Sequence, residues 1–134
     1  MLTFLVVEDE ARIRDLFTQF LKMKGYRVFE AKDGQEAVEA VRRQLFDLVI
    51  MDVKMPRVGG IDALRQIREA SPSTKVLFIT GFGLTEEIEG LLEEGMVECI
   101  RKPFTFEQLI TTVQRMTTTA PRSSSPPSAA AASS

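Results

Sequence analysis

Phe46-Asp47-Leu48-Val49-Ile50-Met51-Asp52-Val53-Lys54-Met55-Pro56 carries a short apolar run, Leu48 to Met51, with a carboxylate at its end. Four successive apolar residues, β-branched ones among them, read as a strand buried on both faces, because a helix would need more length and a polar side. Pro56, which lacks a backbone donor, and the conformationally restricted Met55 before it close the segment. In an open parallel sheet the carboxyl ends of the strands face the crevice where ligands bind. Asp52 therefore stands where the core meets solvent. A lone Asp at a strand end is more commonly a turn cap; the residues that reach the same edge from elsewhere in the chain argue for more.

With 134 residues, 44% of them hydrophobic and 27% charged, the chain suits one soluble globular domain whose core needs no disulfide or structural metal. The net charge is −2 and no basic stripe is present, so direct nucleic-acid binding is not expected. The single cysteine, Cys99, excludes an internal disulfide framework and suits a reducing cytosol, so a cytoplasmic location is expected. No run approaches the ~20 apolar residues of a membrane helix. Met1 to Val7 is apolar but has neither a basic leader nor a small-residue cleavage site, and reads as a strand rather than a signal peptide.

Leu5 to Val7 forms another doubly buried strand and runs into Glu8-Asp9-Glu10. Ile13, Leu16, Phe17, Phe20 and Leu21 then recur at helical spacing as one apolar face, with Gly25 as the stop. Tyr26 to Ala31 is a weaker strand of mixed polarity, expected at an edge. Asp33 and Glu36 have the spacing of a capping box, opening a helix through Ala37, Val38 and Val41. Gly59-Gly60 reads as a turn, and Ile61, Leu64 and Ile67 as a third amphipathic helix ending near Ser71-Pro72. Val76 to Ile79 is a fourth buried strand ending in Thr80-Gly81-Phe82-Gly83. A shorter helix over 85–94 turns Ile88, Leu91 and Leu92 inward, with Glu86, Glu87, Glu89, Glu93 and Glu94 as a solvated face. Val97 to Arg101 is the fifth strand, followed by Lys102-Pro103-Phe104. A last helix opens at Thr105, with Gln108 completing a second capping box, and runs to about Met116.

Five strands alternating with five helices through short connections predict an α/β fold with a five-stranded parallel sheet, doubly wound by right-handed crossovers. Residues 1–116 are expected to form this domain. Residues 117–134 are rich in Ser, Thr, Pro and Ala, too poor in apolar surface to offset ordering entropy, and read as a disordered tail or truncated linker. Met23, Met51, Met55 and Met116 are expected as core or rim filler.

Under that fold Glu8, Asp9, Asp52, Thr80 and Lys102 share one rim. Carboxylates crowded to about 4 Å repel by about 4 kcal/mol per pair at an effective dielectric near ~20, so the cluster calls for a cation. Mg²⁺ suits hard oxygen ligands and is commonly held by one or two carboxylates plus a phosphate. Lys102 adds a point charge able to reach an anionic oxygen, and Thr80 a neutral donor. A carboxylate can itself be a nucleophile, forming an aspartyl phosphate. No Gly-rich phosphate loop is available to activate ATP, so the phosphoryl donor is expected to come from elsewhere.

Val-Val-Glu8-Asp9-Glu, Asp52-Val-Lys-Met-Pro56 with Gly60 beyond it, Thr80-Gly and Lys102-Pro103-Phe104 together resemble the receiver domains of two-component response regulators, over about residues 1 to 116. The resemblance implies a flavodoxin-like strand order of 2-1-3-4-5 and Asp52 as phosphoacceptor. It implies a Mg²⁺ site served by Glu8, Asp9, Asp52 and the backbone carbonyl of Lys54, with Thr80 and Lys102 on the phosphoryl oxygens and a cis Lys102-Pro103 bond. The implied partners are a sensor histidine kinase or histidine phosphotransfer protein, then a downstream target or output domain; a phosphorylation-dependent homodimer is compatible with it. Such a chain is a switch rather than an enzyme, catalysing only its own phosphorylation and dephosphorylation.

Cys99 departs from the family, which usually carries Tyr or Phe three residues before the lysine. A thiol cannot report a threonine rotation through ring packing, so switching is expected to rely on Gly81-Phe82-Gly83, with Phe82 as a substitute ring. Because no output domain follows the last helix, output by protein–protein binding is the first expectation and a receiver cut from a longer DNA-binding regulator the second. A phosphohydrolase of the haloacid dehalogenase type is a third reading, but it would need an acid at position 54, where Lys54 stands. A pseudo-receiver is disfavoured by the complete set of site residues.

Overall fold

A computed structural model describes residues 1–53, 59–81, 86–93 and 95–118. The elements alternate along the chain: β1 (Thr3–Val7), α1 (Ala11–Met23), β2 (Arg27–Ala31), α2 (Gly34–Arg43), β3 (Leu48–Asp52), α3 (Gly60–Ala70), β4 (Lys75–Thr80), α4 (Glu86–Glu93), β5 (Val97–Arg101) and α5 (Phe106–Thr118). All strand pairs are parallel, in the order β2-β1-β3-β4-β5. The chain moves outward from β1 to β2 and then returns past β1 to lay down β3. That reversal opens a crevice beyond the carboxyl ends of β1 and β3, where Asp52 ends its strand.

The apolar runs are continuous because alternate residues serve two cores. Leu5, Val7, Val49, Met51, Val76 and Phe78 point to one face, against Val38 and Val41 of α2, Leu64 and Ile67 of α3 and Leu91 of α4. Phe4, Val6, Leu48, Ile50, Leu77 and Ile79 point to the other, against Phe17 and Leu21 of α1 and Leu109, Val113 and Met116 of α5. β2 is an edge strand, with Arg27, Phe29 and Glu30 exposed and Ala31 buried.

Both expected capping residues act. Asp33 Oδ1 accepts the Glu36 N–H at 2.8 Å, although the Glu36 carboxylate takes the N–H of Lys32, one residue before the cap. Thr105 and Gln108 make both reciprocal bonds, at 3.0 and 2.9 Å. α5 continues to Thr118, two residues past the expected end.

The face of α1 is rotated slightly from the expected one: Ile13, Phe17, Phe20 and Leu21 pack on the core as expected, and Leu16 does not. Leu16 is 55% exposed and Met23 82%, while Phe17, Thr18 and Leu21 are buried. At about 100° per residue, the sheet meets an arc running from Phe17 toward Thr18, which leaves Leu16 outside. Met23, expected as filler, is therefore a surface residue, whereas Met51 and Met116 are buried. Met55, Phe82, Gly83, Glu94 and residues 119–134 lie outside the described residues.

Candidate functional site

Asp52 is the last residue of β3, and its side chain is only 12% exposed. β3 is held there by β4, with the Val53 N–H bonded to the Ile79 carbonyl at 3.0 Å. From the neighbouring edge, Lys102 reaches back so that its Nζ lies 2.8 Å from Asp52 Oδ2. The backbone of Lys102 is fixed by its own N–H on the Thr80 carbonyl (2.8 Å), and the bond to Pro103 is cis. The hydrogen bond to Asp52 raises the Lys102 pKa despite opposing burial, and the charges of Asp52, Glu8 and Asp9 add to it.

Glu8 follows β1 directly and is 5% exposed. Its N–H donates to the Ala31 carbonyl and its carboxylate accepts the Glu10 N–H, each at 3.0 Å. Burial pushes the Glu8 carboxyl above its usual range; the Glu10 N–H works the other way, and Asp9 and Asp52 push it further up. Asp9 is exposed at the mouth of the crevice. Thr80 ends β4, in register with Arg101 of β5, and is 1% exposed, so it lies at the crevice floor. Asp52 and Lys102 are thus in direct contact, Glu8 is close enough to act on both and Asp9 on Lys102, and Thr80 is the residue after Ile79, the register partner of Asp52. Lys54, whose carbonyl was expected at the metal, lies outside the described residues.

Three carboxylates against one ammonium leave an excess of negative charge, which adds to burial in raising the Glu8 carboxyl. The donor chemistry fits Mg²⁺: hard carboxylate oxygens, one buried and one at the mouth. Among the described residues no three acidic, histidine or cysteine side chains already converge on one point.

Gly60, read in the sequence as part of a turn and of the motif around Asp52, has a steric role at the end of β3. It is the first residue of α3, and a Cβ there would stand 2.7 Å from the Asp52 carbonyl oxygen and 2.9 Å from Val53 Cα. Its N–H donates to the Val53 carbonyl at 3.0 Å. Only glycine lets α3 seat directly on the end of β3. Cys99 lies opposite Phe78 on β5 and packs, partly buried, against the core formed with α2, α3 and α4.

A family model for the response regulator receiver domain matches residues 4–114. The transcriptional regulatory protein PdtaR of Mycobacterium tuberculosis is 40% identical over 111 residues, covering 82% of this chain and 54% of that protein. The non-phosphorylated HemR receiver domain of Leptospira biflexa superposes with a TM-score of 0.83 at 28% identity, covering 91% of this chain and 98% of that one. The receiver domain of the Pseudomonas aeruginosa sensor histidine kinase PA1611, with a magnesium ion in its active-site cleft, gives 0.77 at 30% identity, covering 88% and 98%. The chain spans about half the length of the curated relatives it matches.

Proposed function

The chain belongs to the response regulator receiver domain family, and on that premise we propose that Asp52 is its phosphoacceptor, with Glu8, Asp9 and Lys102 as the charged frame of the reaction. Receiver domains are phosphoryl-accepting signalling switches that work with histidine kinases and output domains. The observation that carries the residue assignment is the 2.8 Å pair between Lys102 and Asp52, set at the reversal point of the sheet beside two further acids.

A carboxylate oxygen of Asp52 attacks the phosphorus of a phosphohistidine on a sensor kinase or phosphotransfer protein; the P–N bond breaks, and the imidazole leaves and takes up a proton. Lys102, already on Asp52, moves with the charge onto a phosphoryl oxygen. Thr80 supplies a hydroxyl donor to a second oxygen. Glu8, Asp9, Asp52 and the Lys54 carbonyl would hold Mg²⁺, which supplies neutralisation of the carboxylates and of the phosphoryl oxygens. The phosphoryl group adds about −2 charge, and a downstream target or output domain reads the change; a homodimer of the phosphorylated form is one such readout. Residues 1–116 are the receiver in this reading and 117–134 a tail or linker, in a cytoplasmic protein whose receiver does not itself contact nucleic acid. Among the described residues no helix is long and apolar enough to cross a membrane.

One observation favours a second reading of the output: PdtaR, which the chain covers only to 54%, is named a transcriptional regulatory protein. The chain would then be the receiver of a longer regulator. The phosphoacceptor reading is tested by incubation with acetyl phosphate and intact-mass measurement with Mg²⁺ or with EDTA. One added phosphoryl group, seen only with Mg²⁺, is expected; a mass unchanged under both conditions contradicts it.

A further inference from the structure

Arg14 of α1 contacts none of the expected phosphoryl-binding groups, yet it ties together three parts of the structure around Glu8. Its Nη1 donates to the Glu8 carbonyl at 2.7 Å, and its Nε pairs with Glu30 Oε1 of β2 at 3.2 Å. Its backbone N–H closes the first turn of α1 on the Glu10 carbonyl at 2.9 Å. The guanidinium is largely covered, with the side chain 18% exposed. Glu8 is consequently gripped at its N–H by β2, at its carboxylate by the Glu10 N–H and at its carbonyl by Arg14. Of these, only the bond from Arg14 is made by a side chain of another element.

Such a tether has a purpose in a loop that brings Glu8 and Asp9 beside a third acid, Asp52. Like charges drive Glu8 and Asp9 away from Asp52, and the backbone between Glu8 and α1 must resist that push for those carboxylates to stay beside it at the crevice. A planar fork held at one end by Glu30 can do this; a point charge cannot hold both ends.

We infer that Arg14, anchored by Glu30, is a positioning residue that holds the first acidic loop in its cation-binding geometry. The inference rests on the reading of Glu8 and Asp9 as cation-binding acids. Outer groups that orient metal ligands typically change affinity by about 10–100-fold when removed.

Position and charge predict opposite signs. Arg14→Met deletes a cation and leaves Glu30 unneutralised, which by electrostatics alone would tighten Mg²⁺ binding. Loss of the tether weakens it. Glu30→Gln keeps an oxygen acceptor for Nε while removing a negative charge. The test is Mg²⁺ titration calorimetry on the whole chain, wild type and Arg14→Met, Arg14→Lys and Glu30→Gln, with thermal melts run in parallel. Expected are about tenfold weaker binding in Arg14→Met, a smaller loss in Arg14→Lys, which keeps the packing if the first variant folds poorly, and a change below about threefold in Glu30→Gln. Unchanged or tighter binding in both Arg14 variants, whatever happens to the melting temperature, overturns the inference while leaving the acids as cation ligands. A wild-type chain that bound no Mg²⁺ would overturn the cation reading and this inference with it.

Discussion

The ammonium of Lys102 lies 2.8 Å from Asp52 Oδ2, across the crevice from Glu8 and Asp9. Among the described residues it is the one group of this cluster that carries positive charge, and it already rests on the carboxylate proposed to receive phosphorus. Preorganised charge of this kind acts mainly on the transition state, and one such donor is typically worth about 10²–10³ in rate. Lys102→Met should slow phosphoryl uptake from acetyl phosphate by about a hundredfold, read as initial rates by intact mass. A rate within threefold of wild type would remove Lys102 from the reaction.

Glu8 illustrates the cost of building such a site. A buried anion beside two others is tolerated, not favoured, in the metal-free protein. Glu8→Gln keeps the shape, relieves the repulsion and should raise metal-free stability by about 1 kcal/mol, a trade-off common at functional sites. The same variant should lose most of the melting-temperature rise that Mg²⁺ gives wild type. Melts with and without Mg²⁺ check both signs; a metal-free variant less stable than wild type would mean that Glu8 is structural.

Gly60 carries a steric requirement. Alanine would place its Cβ 2.7 Å from the Asp52 carbonyl oxygen, so either α3 or the end of β3 must shift. Overpacking against backbone costs about 1–3 kcal/mol. Gly60→Ala should lower the urea midpoint accordingly and slow phosphorylation as Asp52 moves. Gly59→Ala, where a Cβ meets nothing within 4 Å among the described residues, should do neither.

Cys99 provides a pH readout remote from the acids. Burial raises its thiol above the usual 9.0, and the charge of Arg101 only partly opposes this. The thiolate is the reactive form, so at neutral pH iodoacetamide should label the folded chain at least about tenfold more slowly than the urea-unfolded chain. The folded rate should continue to climb above pH 9.0, beyond the point at which the unfolded rate levels off. Equal rates at neutral pH would show Cys99 to be an ordinary surface thiol.

Much of this was legible in the residues. Leu5 to Val7, Leu48 to Met51 and Val76 to Ile79 announce doubly buried strands because both faces of the sheet are covered, and each ends in a polar residue at the same edge. The order of those strands is not a local property; the expectation of 2-1-3-4-5 came with the resemblance, and the sheet has that order. The rotation of α1 escaped because Leu16 and Phe17 fit a helical period equally well, and only the sheet decides which is covered. The close seat of Gly60 and the tether of Arg14 escaped for a related reason. The first matters through a backbone eight residues earlier, the second through a carbonyl six residues back and a carboxylate sixteen residues on. Neither approach leaves a trace in spacing.

The central claim is that phosphorus is captured by one carboxylate of the three at the crevice. After reaction with acetyl phosphate and Mg²⁺, borohydride reduction converts an aspartyl phosphate to homoserine, which peptide sequencing locates. Homoserine at position 52 alone, absent in Asp52→Asn and with EDTA, is the predicted result. Conversion at position 9 instead, or at no position of a chain that has gained phosphate, would contradict it.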